Sequence, residues 1–243
     1  MRPWGGIPIV PLACALSGVA WALFAARRAR ASPARLAARA LLGGAAAFGL
    51  ASAAYDLAAM AGLDVRWERI AAGDLEALAL ASFVGLTEEG AKLVGILLVA
   101  QRRFRPAAVI AAAVGVAAGF AALEALFVLR GAVPLPTALA RAALGPVAHA
   151  TLAVPIAFTL ATGLPPGRRG WALLAAALGA SAALHAGADL SLTLPERGRI
   201  VHAAVLLGPA LWVFARVRRP VAVGSAAAGA GPADGGMSGR SRA

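Results

Sequence analysis

Glu88, Glu89, Lys92, Glu124, His149, His185 and Asp189 are the residues of this 243-residue chain whose types and spacing could do chemistry. All seven sit inside apolar stretches. Carboxylates, one amine and imidazoles gathered in such a setting can activate a water, relay a proton or ligate a cation. The sharpest group is Glu88-Glu89-Gly90-Ala91-Lys92. Glu88 and Lys92 are four apart, so on a helix they share a face, with Glu on the N-terminal side, the better orientation for an ion pair. Glu89 points about 100° away. One Glu can therefore face a cavity while its neighbour pairs elsewhere. A structural Glu–Lys pair that neutralises itself is the plainer reading, and it leaves the second Glu unexplained.

The second group is Phe120-Ala121-Ala122-Leu123-Glu124, where Phe120 and Glu124 share a face and Glu124 needs a partner. The third is His185-Ala186-Gly187-Ala188-Asp189. Four residues of helix stack imidazole and carboxyl about 6 Å apart along the axis, where Asp can hold the ring in one orientation. His149 stands alone in its stretch. Asp56 and His202, near segment ends, read as structural or interfacial, and Cys14 as a small buried apolar residue without a disulfide partner.

These groups need elements to carry them, and composition says which. Sixty per cent of residues are hydrophobic and only 14% are charged. A soluble domain carries about 25% charged residues. Several apolar stretches exceed the roughly 20 residues that cross a bilayer. The expectation is an all-α, polytopic transmembrane helix bundle with about seven spans, near residues 7–26, 38–63, 75–100, 106–130, 138–162, 171–194 and 199–216. The first is too long and too poorly flanked for a cleaved signal peptide. A charge at the bilayer centre costs roughly 2.5–3.5 kcal/mol on the lenient insertion scales. The ionisable residues must therefore face one another or water. Gly115 and Gly119 let a neighbouring helix come close to the span that carries Glu124.

Orientation follows from the arginines. The loops after spans one, three and five and the C-terminal tail carry 15 of them, and the opposite side carries 7. Basic loops stay in the cytoplasm, so the N-terminus is expected outside and the C-terminus inside. The net charge of +12 is thus a topology signal, and nucleic acid is not an expected partner. Residues 1–220 form the membrane domain, and 221–243, rich in Gly, Ala and Ser, should be a disordered cytoplasmic tail. In this frame Glu88 and His149 lie near mid-membrane and Glu124, His185 and Asp189 in the outer half. They are expected to meet in one cavity opening to the extracytoplasmic side.

E-E-x-x-K, F-x-x-x-E and H-x-x-x-D, in that order on separate apolar helices, resemble the PrsW family of intramembrane proteases, within the wider group of type II CAAX prenyl proteases and bacteriocin-processing enzymes. The resemblance covers about residues 75–194 and extends to His149, which is similar to a family histidine between the second and third motifs. Ala125 stands where family members often carry Asn. The resemblance implies a cell-membrane peptidase of the glutamic type, cofactor-free, cutting a membrane-embedded or juxtamembrane segment. Its partners would be the bilayer and a membrane protein or peptide substrate, site-1 cleavage of an anti-sigma factor being associated with the type member. Glu88 would activate the water, helped by Glu124 or His149. Lys92 and Glu89 would hold charge balance and helix register. His185, oriented by Asp189, would donate to the oxyanion.

Three rival readings stand beside this one. Glu88, Glu124, His149, His185 and Asp189 are all competent zinc ligands, although the chain lacks H-E-x-x-H. Buried acids and imidazoles also make the relay of a proton-coupled transporter or channel. A non-catalytic membrane scaffold that kept the fold is the third.

Overall fold

The structure, a computed structural model, describes residues 9–29, 32–100, 105–128, 135–194 and 198–217. The expected tail, 221–243, lies outside the described residues. Among those that are described, all regular structure is helical. The helices are α1 (Ile9–Arg28), α2 (Pro33–Met60), α3 (Trp67–Ile70), α4 (Leu75–Val99), α5 (Pro106–Val128), α6 (Leu135–Leu152), α7 (Val154–Thr162), α8 (Arg168–Thr193) and α9 (Gly198–Val217).

Local chemistry explains several boundaries. Pro33 and Pro106 open α2 and α5, where a missing N–H costs nothing. Asp74 caps α4, its carboxylate accepting from Ala77 N at 2.8 Å. The expected fifth span is bent. It divides into α6 and α7 at Ala153, with 49° between the pieces. Pro155 lacks the N–H that would continue the α6 ladder, so the helix breaks one turn after His149.

Among the described residues, four helices (α1, α2, α5 and α8) are long and apolar enough to cross a membrane, and the α6–α7 pair, taken as one bent span, brings the total to five. Helix α4 is just as long at 25 residues but carries Glu88, Glu89 and Lys92 within it. The distribution of polarity is inverted relative to a water-soluble bundle. Leu42, Leu57, Leu98 and Trp171 are 66–73% exposed, whereas Glu89 and Lys92 are fully buried. An apolar exterior around a charged interior is what lipid selects.

The interior is built mainly of alanine and glycine, which lets helix axes approach closely. Gly115 of α5 faces Ala40, and Gly119 faces Leu41 and Gly44 of α2, so the close neighbour expected from the sequence is α2. The approach of most consequence for the site is α4 to α8. A Cβ at Gly85 would lie 2.5 Å from the Ala182 carbonyl oxygen and 3.2 Å from His185 Cβ. Only a residue without a side chain lets His185 reach the two glutamates one turn further along α4.

Candidate active site

Four helices deliver the polar residues to one place. Helix α4 supplies Glu88, Glu89 and Lys92, α5 supplies Glu124, α6 supplies His149, and α8 supplies His185 and Asp189. A chain of short contacts joins them. His185 Nδ1 lies 2.9 Å from Glu89 Oε1, and Lys92 Nζ lies 2.7 Å from the same oxygen. Lys92 Nζ is also 2.8 Å from His149 Nδ1, and His149 Nε2 is 2.7 Å from Glu124 Oε2. Arg141 of α6 closes the chain, its guanidinium donating to Glu124 Oε1 at 2.9 Å.

Donor and acceptor roles follow from the inventory. An ammonium only donates, so His149 Nδ1 accepts from Lys92 and Nε2–H donates to Glu124. A carboxylate only accepts, so His185 donates Nδ1–H to Glu89, and Nε2 is the free corner of that ring. Lys92 also lies over the Phe120 ring, 4.5 Å from its centroid, which adds a cation–π attraction in a dry setting. Phe120 thus serves the amine of α4, while Glu124 one turn later serves α6.

Two expected pairings differ in the structure. Lys92 is expected to share its face with Glu88 and does lie within ion-pair distance of it, 3.7 Å from Oε2, but Glu89 at 2.7 Å is its hydrogen-bonded partner. Three- and four-residue spacings both bring side chains together on a helix, and the arrival of His149 from α6 draws the amine towards Glu89. Asp189 was expected to orient His185. Its Oδ2 lies 3.8 Å from Nε2, beyond hydrogen-bond reach, and Glu89 holds the ring instead. The third difference is the cavity. The site is packed shut, with Glu88, His149 and His185 each 9% exposed or less. The Glu124 and Asp189 side chains, at 20% and 22%, form its rim. A separate cavity of about 550 Å³ lies beside it, between the start of α4, the end of α8 and Val201 of α9.

Tyr55 of α2 carries no motif and was not singled out from the sequence. Its hydroxyl donates to Glu88 Oε1 at 3.0 Å. It is the only tyrosine in the chain, placed in an apolar helix, and that rarity is the signal that could have drawn attention to it. Arg141 reads in the sequence merely as one of the arginines on the sparser side. With Oε1 held by Tyr55, Glu88 Oε2 is buried without a hydrogen-bond partner. It faces His185 Nε2 at 3.7 Å. The two atoms are too far apart for a hydrogen bond and too closely packed to hold a water between them, so a water reaches Oε2 only when the helices part.

As arranged, the side chains do not form a metal-ligand group. Among the described residues, no three His, Cys, Asp or Glu converge on a point that could hold an ion. His149 uses both ring nitrogens, and the Lys92 ammonium stands where a cation would meet Glu89 and His149.

Residues 8–215 match the model of a family described as PrsW family intramembrane metalloprotease. No curated protein matches the chain, and no solved structure does. The match covers every residue of the site. The metal in the family's description finds no ready ligand set in the present arrangement of these residues.

Proposed function

Since the chain belongs to the PrsW family and is a multi-pass integral membrane protein, we propose that it is an intramembrane endopeptidase in which Glu88 activates the attacking water. The observation that carries this reading is the Glu88 carboxylate, with Oε1 tied to Tyr55 and Oε2 unpartnered opposite His185 Nε2. A water admitted beside Oε2 when the helices part gives its proton to Oε2 as its oxygen attacks the scissile carbonyl. His185, as an imidazolium fixed through Nδ1, donates Nε2–H to the developing oxyanion. As the tetrahedral intermediate collapses, the C–N bond breaks and Oε2 returns its proton to the leaving amine. Glu89 and Lys92 hold α4 and His185 in register. Glu124, with His149, tethers α5 and α6 to the same centre and supports the cationic side of the site.

Under the same reading α1, α2, α4, α5, the α6–α7 pair, α8 and α9 form seven crossings, with the N-terminus outside. The closed site requires a parting of helices to admit a peptide. The α6–α7 break, one turn from His149, is suited to that movement because its hydrogen-bond ladder is already interrupted. The substrate class is a single-span membrane protein or a juxtamembrane peptide, site-1 processing of a membrane regulator being one instance.

The test is a paired cleavage assay in liposomes, wild type against Glu88→Gln, on single-span substrates with and without a strong chelator. Cleavage by the wild type, lost in the variant and indifferent to chelator, is the expected result. Cleavage abolished by chelator and restored by zinc would overturn the metal-free step. Proton flux through a wild type that cuts nothing would move the relay reading ahead.

A further inference from the structure

We infer that Tyr55 is a positioning residue for Glu88, selecting which carboxylate oxygen meets the reacting water; this role rests on Glu88 being the base. The phenol donates to Oε1 at 3.0 Å from a different helix, α2, so its direction is independent of the α4 backbone. The ring is fixed by packing. It lies 6.3 Å from the Phe83 ring, centroid to centroid, and flanks the clusters around Leu80 and Ala186 on one side and Ala91 and Phe120 on the other. A hydroxyl on a fixed ring is a far more directional donor than a freely turning side chain.

The consequence for the reaction is specific. A free glutamate can turn over and present either oxygen. With Oε1 engaged by Tyr55, Oε2 alone receives the proton from water and keeps it on the side of His185 Nε2, 3.7 Å away, where the amine departs. The Tyr55 proton is not transferred in any step. Lys92 is the other group near Glu88, with Nζ 3.7 Å from Oε2, and its bonds to Glu89 and His149 hold it back from that oxygen. Tyr55 is therefore the one hydrogen-bond donor fixed on Glu88 among the described residues. It is also only half-buried and stands at the edge of the site.

The single tyrosine makes the test clean, because any tyrosine label reports this residue alone. The full chain is prepared in nanodiscs with tyrosine labelled by ¹³C at Cζ. The Cζ resonance is expected to move in Glu88→Gln and Glu88→Ala and to stay in place in Asp56→Asn, which changes an exposed neighbour. In kinetics, Tyr55→Phe keeps the ring and is expected to lower kcat about 10- to 100-fold, the loss of one hydrogen bond to a charged group, with KM changed by less than about twofold. Tyr55→Leu removes ring and hydroxyl and separates packing from donation through its unfolding temperature. A Cζ resonance indifferent to both Glu88 variants overturns this inference alone. So does full kcat in Tyr55→Phe. Absence of wild-type cleavage across the substrate panel overturns the reading of Glu88 as base, and this role falls with it.

Discussion

The two sides of the polar centre are built on adjacent residues and differ in kind. On the Glu89 side every contact is short. Lys92 and His185 both donate to one oxygen of a fully buried carboxylate, and His149 extends the bonding to Glu124. On the Glu88 side there is one hydrogen bond, from Tyr55, and the remaining distances to His185 and Lys92 are 3.7 Å. A buried charge with its partners in place holds helices together. A buried oxygen without a partner stores an unmet demand that a water or a substrate can meet. Each carboxylate keeps one buried oxygen without a hydrogen-bond partner, Glu88 Oε2 and Glu89 Oε2. The difference is therefore that two short charged contacts lock Glu89 while the Tyr55 hydroxyl alone holds Glu88. On the proposed function Glu89 is structural and Glu88 the base.

The strongest way to break the comparison is Glu88→Gln. A general base contributes about 10²- to 10⁴-fold, so cleavage should fall by that much while the thermal transition in detergent stays near that of the wild type. Retained activity would remove Glu88 from the base role. Glu89→Ala should give the opposite pattern. Removing one partner from a buried ion pair costs about 3–5 kcal/mol, and the readout is a lowered unfolding temperature and poor recovery from the membrane. A stable, well-inserted Glu89→Ala protein that has merely lost activity would erase the distinction.

Gly85→Val sharpens the comparison by testing what both sides share. A Cβ at Gly85 would meet the Ala182 carbonyl oxygen at 2.5 Å, so α8 must move away from α4. Overpacking of this kind costs about 1–3 kcal/mol, and activity should fall further than stability because His185 leaves both glutamates together. Cysteine crosslinking between α4 and α8 would read the displacement. The smallest effect is expected at Arg141→Met. Its side chain is 46% exposed, and such rim pairs contribute about 0–1 kcal/mol. Unfolding should barely change, and cleavage should change by no more than a few-fold with His149 still on Glu124.

Much of this was legible beforehand because membrane helices advertise themselves. The helix boundaries near 75–99 and 106–128 follow from apolar runs ended by charge, proline or a cap. The seven site residues follow from the expense of placing ionisable groups among alanines. Gly115 and Gly119 announced a close helix neighbour, although not its identity. The bend at Ala153 was less visible, since Pro155 sits inside a run that reads as one span. Tyr55 was invisible to the same logic, because a tyrosine in an apolar helix carries no charge and is most often an interfacial anchor.

The sequence by itself determined that the protein is a bundle of apolar helices around a charged centre, and which side chains that centre would use. Periodicity fixes the face on which a residue sits to within a helical step, and the insertion cost of charge forces those faces inward. What only the tertiary structure decided is which atoms meet. Lys92 donates its hydrogen bond to Glu89 and stays 3.7 Å from Glu88, His185 is held by Glu89 and not Asp189, and a phenol from α2 takes one oxygen of Glu88. Those choices turn on differences of about 1 Å between helices. Such distances are set by where a glycine or alanine lets two backbones touch, and the pattern along one helix does not contain them.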